Sequence, residues 1–263
     1  MRTQPQEVIA KLEADNSRLA KEKILLEAMN EGLDEFFEGL KMCLDKLYTF
    51  GVKQVPKKDE VISAQGCKWE VFKELAEKLN QRELTGHAAR DAINLVMSSA
   101  TAEQWNGFYR RILIKDLRCG VSEKTVNSVA KKNKFGKYMV PVFTCQLAHD
   151  SANHEKKLVG EKMLEVKLDG VRVVTIVYPD GKVDMFSRNG KEFTNFGHIQ
   201  EELSAVVKKS PPPYPLVLDG EVMSENFQDL MKQVHRKESV NAKDAVLNLF
   251  DFLPLEDFKK GVW

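Results

Sequence analysis

The sequence predicts an α+β protein in which an all-helical N-terminal part precedes a partial antiparallel sheet. Apolar residues from Glu7 to about Phe50 recur at three- and four-residue steps, and similar helical spacing resumes to about residue 135. Beyond about residue 140 the text alternates in the strand manner and is punctuated by Asp169-Gly170, Asp180-Gly181 and Asn189-Gly190. The 263 residues, 43% of them hydrophobic, are enough for two modest domains with separate cores.

In the first part, Val8, Ile9, Leu12, Leu19, Leu25, Leu26, Met29, Leu33, Phe36, Phe37, Leu40, Leu44 and Leu47 mark two or three helices, with breaks near Asp15-Asn16-Ser17 and Asn30-Glu31-Gly32. A loop follows from Gly51 to Asp59. Helix resumes through Trp69, Val71, Phe72, Leu75 and Leu79, again from Thr85 or Gly86, and again from Ala102 through Leu113. Gly120 is expected to end a helix, and Ser122 to cap the next, with Glu123 in its first turn. The interdomain linker is expected near Lys134 to Met139, which places the domains at 1–135 and 140–263.

In the second part, Lys162 to Leu168, Val171 to Tyr178 and Val183 to Arg188 are expected to form a three-stranded meander whose first turn is Asp169-Gly170. A helix is expected from about Asn195 to Lys208, with Phe196, Ile199, Leu203, Val206 and Val207 on one side and Pro211-Pro212-Pro213 after it. Leu216 to Met223 and Ala245 to Leu253 read as two more strands. The stretch with His235, Arg236 and Lys237 between them is read as surface, and His198 as structural.

Formal charge is balanced at +1, so a nucleic-acid surface has to come from local clustering. Such a cluster exists between residues 101 and 140, where nine basic residues face three acidic ones. Cys43, Cys67, Cys119 and Cys145 lack C-x-x-C or metal spacing and read as reduced, intracellular thiols. No apolar run is long enough to span a bilayer, no signal peptide is read, and internal repeats are not evident, so a cytoplasmic protein without membrane partners is expected.

The chemistry concentrates in Leu164-Glu165-Val166-Lys167-Leu168-Asp169-Gly170-Val171-Arg172, the pattern K-x-D-G-x-R. A nucleophilic lysine must first lose its proton, which needs a nearby cation or partial desolvation. Arg172 can supply positive field, Asp169 can hold a metal or orient the amine, and Gly170 lets backbone approach a phosphate. Strand alternation would put Glu165 and Lys167 on one face, and likewise Asp219 and Glu221. The plain alternative is a surface hairpin carrying ordinary charges.

Lys167 to Arg172 resembles the first motif of the covalent nucleotidyltransferases: ATP-dependent DNA ligases, RNA ligases and mRNA capping enzymes. Ser187-Arg188-Asn189-Gly190, Leu218-Asp219-Gly220-Glu221 and Leu249-Phe250-Asp251-Phe252 resemble the motifs that follow, in the same order. Lys115-Asp116-Leu117-Arg118-Cys119-Gly120-Val121-Ser122 resembles the segment that DNA ligases lay on the minor groove. The sequence is therefore similar to the ATP-dependent DNA ligases, in particular those of T-even bacteriophages.

That resemblance implies a DNA-binding helical domain ahead of an ATP-grasp-like nucleotidyltransferase domain, with ATP, Mg2+ and nicked double-stranded DNA as cofactors and partner. It implies that Lys167 carries AMP, Glu165 reads the adenine edge, Arg172 lies near the ribose and the nick, and Arg188 contacts the 5′-phosphate. Glu221 would hold the ribose hydroxyl, Phe250 would stack on adenine, and Asp219 would serve metal or structure. Lys115, Arg118, Gly120 and Ser122 would grip DNA. The family's later glutamate and lysine-pair motifs and its OB domain are not read before Trp263, so the 263-residue chain is expected to be inactive alone, with a separate chain as a candidate source of the rest. A non-catalytic DNA-binding fragment, an RNA ligase and a capping guanylyltransferase are the alternatives.

Overall fold

The computed structural model describes residues 3–59, 64–225 and 244–262, and the stretch containing His235, Arg236 and Lys237 lies outside them. The chain divides into two compact units, Met1–Val142 and Phe143–Trp263. One is helical and the other is built on a four-stranded antiparallel sheet, which is the expected α+β class.

The helical unit opens with α1 (Pro5–Ala14), α2 (Arg18–Asn30) and α3 (Asp34–Leu44), broken where the sequence indicates. Pro5 occupies the first turn of α1, and the Gln4 amide donates to the Glu7 carboxylate at 2.9 Å. Ser17 caps α2 by accepting from the Ala20 amide at 3.4 Å. Then come α4 (Trp69–Asn80), α5 (Gly86–Ser99), the short α6 (Ala102–Gln104), a π-helical turn at Trp105–Tyr109 and α7 (Arg110–Leu113). The core holds Phe36, Phe37, Phe72, Trp105 and Phe108, and the Phe72 and Tyr109 rings stack at 4.3 Å. Helix α3 approaches the π turn closely at Gly39, where an added β-carbon would lie 2.5 Å from the Phe108 ring.

The corner after α7 differs from expectation. The helix ends ahead of Gly120, at Leu113, and Lys115 takes the left-handed conformation (φ 58) that usually falls to glycine. The Asp116 amide reaches back to the Arg111 carbonyl at 3.0 Å, closing a Schellman-type end. Ser122 does cap α8 (Glu123–Lys132), accepting from the Thr125 amide at 3.4 Å. Residues 134–139, expected as linker, instead fold onto the helical core. Tyr138 is buried there, its ring stacks on Phe37 at 4.1 Å, and its hydroxyl donates to Asp34 at 2.7 Å. An aromatic side chain with both ring and hydroxyl satisfied is an anchor, which the mixed composition of the stretch conceals.

In the second unit the strands β1 (Val171–Val177), β2 (Val183–Ser187), β3 (Leu216–Met223) and β4 (Val246–Pro254) lie in the order β2-β1-β3-β4, all antiparallel. The Asp180-Gly181 turn closes the β1–β2 hairpin with Gly181 at φ 86, and Gly190 turns the chain back after β2 at φ 73. Helix α9 (Gly197–Lys209) covers one sheet face, where Phe193, Phe196 and Ile199 meet Val173, Met185 and Val222. The short α10 (Leu255–Lys260) follows β4. Leu19, Val71 and Val206, assigned to apolar helix faces, are exposed.

The expected strand at 162–168 does not form, and Asp169-Gly170 is not a hairpin bend. β1 is flanked by β2 along Val173–Val177 and by β3 along its whole length, so β1 itself offers the preceding segment almost no free edge. Gly170 serves another purpose: a β-carbon there would collide with the Val222 carbonyl oxygen of β3.

Candidate active site on the sheet face opposite α9

The register places Arg172 opposite Glu221 and Val174 opposite Asp219, so alternation puts Arg172, Asp219 and Glu221 on the face away from α9. The β3–β4 register slips between Asp219 and Gly220, leaving Phe250 as the extra residue of a bulge. Its ring reaches the same face, with the Arg172 guanidinium 4.7 Å from the ring centroid.

Arg172 is the hub of this face. Its Nε donates to Asp219 Oδ1 at 2.6 Å and its Nη2 to Oδ2 at 2.7 Å, a bidentate pair, and Nη2 also donates to the Gln146 carbonyl at 3.2 Å. Bonding to Asp219 raises the guanidinium pKa above its usual value. Asp219 is buried, so the arginine is what balances its charge. Glu221 Oε1 accepts from the Gly170 amide at 3.1 Å, which ties the K-x-D-G-x-R segment to the sheet at its final glycine. Cys145 lies beside this group, its thiol 3.7 Å from the Arg188 carbonyl, and burial pushes that thiol up.

The structure thus gathers Gly170, Arg172, Asp219, Glu221 and Phe250. Arg188 stands exposed just past the end of β2, at the end of the sheet where β1 begins. Glu165, Lys167 and Asp169 lie on the exposed segment ahead of β1, and Lys167 Nζ is 3.7 Å from Asp169 Oδ1 with both side chains open to solvent. Each Asp219 oxygen accepts one hydrogen bond from Arg172, so its charge is already balanced by the guanidinium. Among the described residues no three His, Cys, Asp or Glu side chains converge as a metal cluster. Sequence reasoning missed Gln146, whose contribution is a backbone carbonyl and leaves no mark on residue type.

In the helical unit, Lys115 departs from its expected role. Its ammonium donates to the carbonyls of Met42, Asp45 and Tyr48 at 2.7, 2.6 and 2.6 Å, closing the C-terminal end of α3, and burial pulls its pKa down to about 8. An ammonium with three acceptors turned inward has no donor left for phosphate. Arg118, Gly120 and Ser122 remain exposed around the start of α8.

Residues 144–260 match the family model described as the ATP dependent DNA ligase domain. The sheet-built unit is similar to that domain over nearly its whole length. The DNA ligases of Enterobacteria phages T4 and T6 are each 26% identical to this chain over 151 residues, covering 55% of this chain and 30% of the phage protein. A solved structure named Pmar-Lig_PreS3 is 64% identical with a TM-score of 0.58, covering 98% of this chain and 59% of that one. The chain therefore spans less than two thirds of the length of these relatives. The segments at 167–172, 187–190, 218–221 and 249–252 all fall inside the matched region. No described helix is long and apolar enough to cross a membrane.

Proposed function

We propose that this chain supplies the DNA-gripping and nucleotide-binding parts of an ATP-dependent DNA ligase that seals nicks in duplex DNA through a lysyl-AMP intermediate on Lys167. The observation that carries the reading is the Arg172, Asp219, Glu221 and Phe250 group, tied through Gly170 to the lysine segment inside a ligase domain.

The neutral Lys167 amine attacks the α-phosphorus of ATP, the bond to the β-phosphate oxygen breaks, and pyrophosphate leaves. A 5′-phosphate oxygen at the nick then attacks the adenylyl phosphorus and frees the amine, after which the neighbouring 3′-hydroxyl attacks the phosphorus of that 5′-phosphate, the bond to the bridging oxygen breaks and AMP departs. Displacements of this kind depend on positioning and charge neutralisation. Arg172 is fixed for that purpose by Asp219, and its guanidinium fork suits a phosphate or ribose oxygen. Phe250 offers a ring face to adenine, a position that Arg172 now shares. Glu165 would read the adenine edge, Glu221 the ribose hydroxyl and Arg188 the 5′-phosphate. Magnesium, which sites of this kind hold through one or two carboxylates plus substrate phosphates, would be held by Asp169, the open carboxylate beside the lysine, and would neutralise phosphate charge there.

Incubating the chain with labelled ATP or GTP and magnesium tests this reading. Label from ATP, stable to denaturation and lost in Lys167→Ala, is expected. GTP labelling in preference to ATP would move the protein to the capping enzymes, and an adduct that survives Lys167→Ala would remove the proposed nucleophile. The exposure of Lys167 favours one second reading, a DNA-binding module without catalysis, which predicts salt-sensitive binding of nicked duplex and no adduct. Nick sealing by the 263-residue chain would overturn the expectation that it is inactive alone.

A further inference from the structure

Residues Phe143 to Gln146 lie against the sheet face that carries Arg172 without joining the sheet as a strand. Burial alternates along them: Phe143 and Cys145 are half-buried, whereas Thr144 and Gln146 are exposed, so two side chains turn toward the sheet and two turn out. The Phe143 ring lies 5.8 Å from the buried Phe186 ring of β2 and 5.9 Å from the buried Phe258 ring of α10. Two residues on, the Cys145 thiol donates to the Arg188 carbonyl at 3.7 Å, and the Gln146 carbonyl accepts from Arg172 Nη2 at 3.2 Å. Consecutive residues therefore hold both arginines that the ligase reading turns toward the nick. Burial pushes the Cys145 thiol up, which keeps it protonated and a donor. The turn after β2 has bonds of its own, from the Gly190 amide to the Ser187 carbonyl at 2.8 Å and from the Lys191 amide to Ser187 Oγ at 3.1 Å. Those shape the turn, and the thiol ties its arginine-bearing residue to the segment that holds Arg172.

We propose that Phe143–Gln146 is a strap that sets the spacing between Arg172 and Arg188, with Cys145 as the positioning residue for Arg188. Guanidinium forks recognise neighbouring phosphate and ribose oxygens efficiently only when their separation is fixed in advance. The three contacts divide that work. Phe143 anchors the strap, the Gln146 carbonyl takes an Nη2 hydrogen of Arg172, and the thiol takes the Arg188 backbone, so that the exposed Arg188 side chain faces solvent. This assignment rests on the reading of Arg188 as the contact to the 5′-phosphate.

Two measurements on the full chain test it. The first compares dissociation constants for nicked duplexes ending in a 5′-hydroxyl and in a 5′-phosphate. The wild type should prefer the phosphate, Cys145→Ala should reduce that preference by about threefold, the worth of one modest hydrogen bond, and Cys145→Ser should restore most of it. In an Arg188→Ala background, Cys145→Ala should change the ratio no further. The second is amide relaxation by NMR, in which the Arg188 order parameter should fall in Cys145→Ala while those of β1 stay unchanged. Phe143→Leu, which loosens the anchor, should act in the same direction on both readouts and serves if Cys145→Ala fails to fold. An unchanged Arg188 order parameter in a folded variant overturns the strap. So does a wild-type preference for the phosphate that Cys145→Ala leaves intact, or an equal loss in the Arg188→Ala background. If Arg188 loosens as described while the wild type shows no preference for the phosphate, the strap stands and the reading of Arg188 is overturned.

Discussion

The two units hold their inward cations in opposite ways. In the helical unit, Lys115 closes the end of α3, and Lys58 donates to the carbonyls of Met97, Ser98 and Ala100 at 3.0, 2.8 and 2.6 Å around the end of α5. In the sheet-built unit, Arg172 is held by one carboxylate and keeps its flat face over Phe250. A lysine has three donors, and when all three are spent on backbone it serves as a fastening. An arginine gripped along one edge keeps donors and a planar surface for a ligand. The number of basic residues in a segment therefore says little about phosphate binding until their acceptors are known.

The contrast can be broken most sharply at Asp219. Asp219→Ala should cost about 3 kcal/mol by leaving Arg172 partly buried and uncompensated, read as a lower midpoint in a urea melt. Adenylate transfer should fall with it, whereas Arg172→Met/Asp219→Leu should recover stability without recovering transfer. A double variant that recovered transfer would remove the ligand-facing role of Arg172.

Lys58→Met should cost about 2 kcal/mol, since it strands carbonyls at the end of α5, and it should leave DNA affinity unchanged. A large loss of affinity at equal folding would reverse the distinction between fastening and ligand-facing cations. Gly170→Ala should cost on the order of 1–3 kcal/mol, because its methyl meets the Val222 carbonyl, and should also disturb the lysine segment, read as slower adenylation.

The smallest effect is expected from pH at Lys115. Its folded value, about 8, lies below the ordinary lysine value near 10.4, so the unfolded chain binds more protons between them. Wild-type stability should therefore rise relative to Lys115→Met as pH climbs through this window, and should show no difference in trend below it. Burial pushes Cys43, beside Lys115, up to about 12, which acts in the reverse direction above about pH 9. The difference is cleanest between pH 8 and 9, and a flat difference there would show that the ammonium is not desolvated.

Helix and strand positions were legible wherever apolar spacing had a single period. Breaks at Ser17 and Gly32, the cap at Ser122 and the turns at Gly181 and Gly190 all follow from residues with one strong local preference. Asp169-Gly170 misled because the glycine is required by a close backbone approach across β3, and composition does not distinguish that use from a turn. Tyr138 was hidden in a stretch of linker-like composition, since its anchoring partners Phe37 and Asp34 are about a hundred residues away.

From the sequence alone came the α+β class, the order of elements and the motif residues, because these depend on local preference and on spacing along the chain. The pairing of Arg172 with Asp219 and the diversion of Lys115 into the end of α3 were decided only by tertiary structure. Each depends on which acceptor comes within about 3 Å of a cation, and that is fixed by packing between segments far apart in the chain.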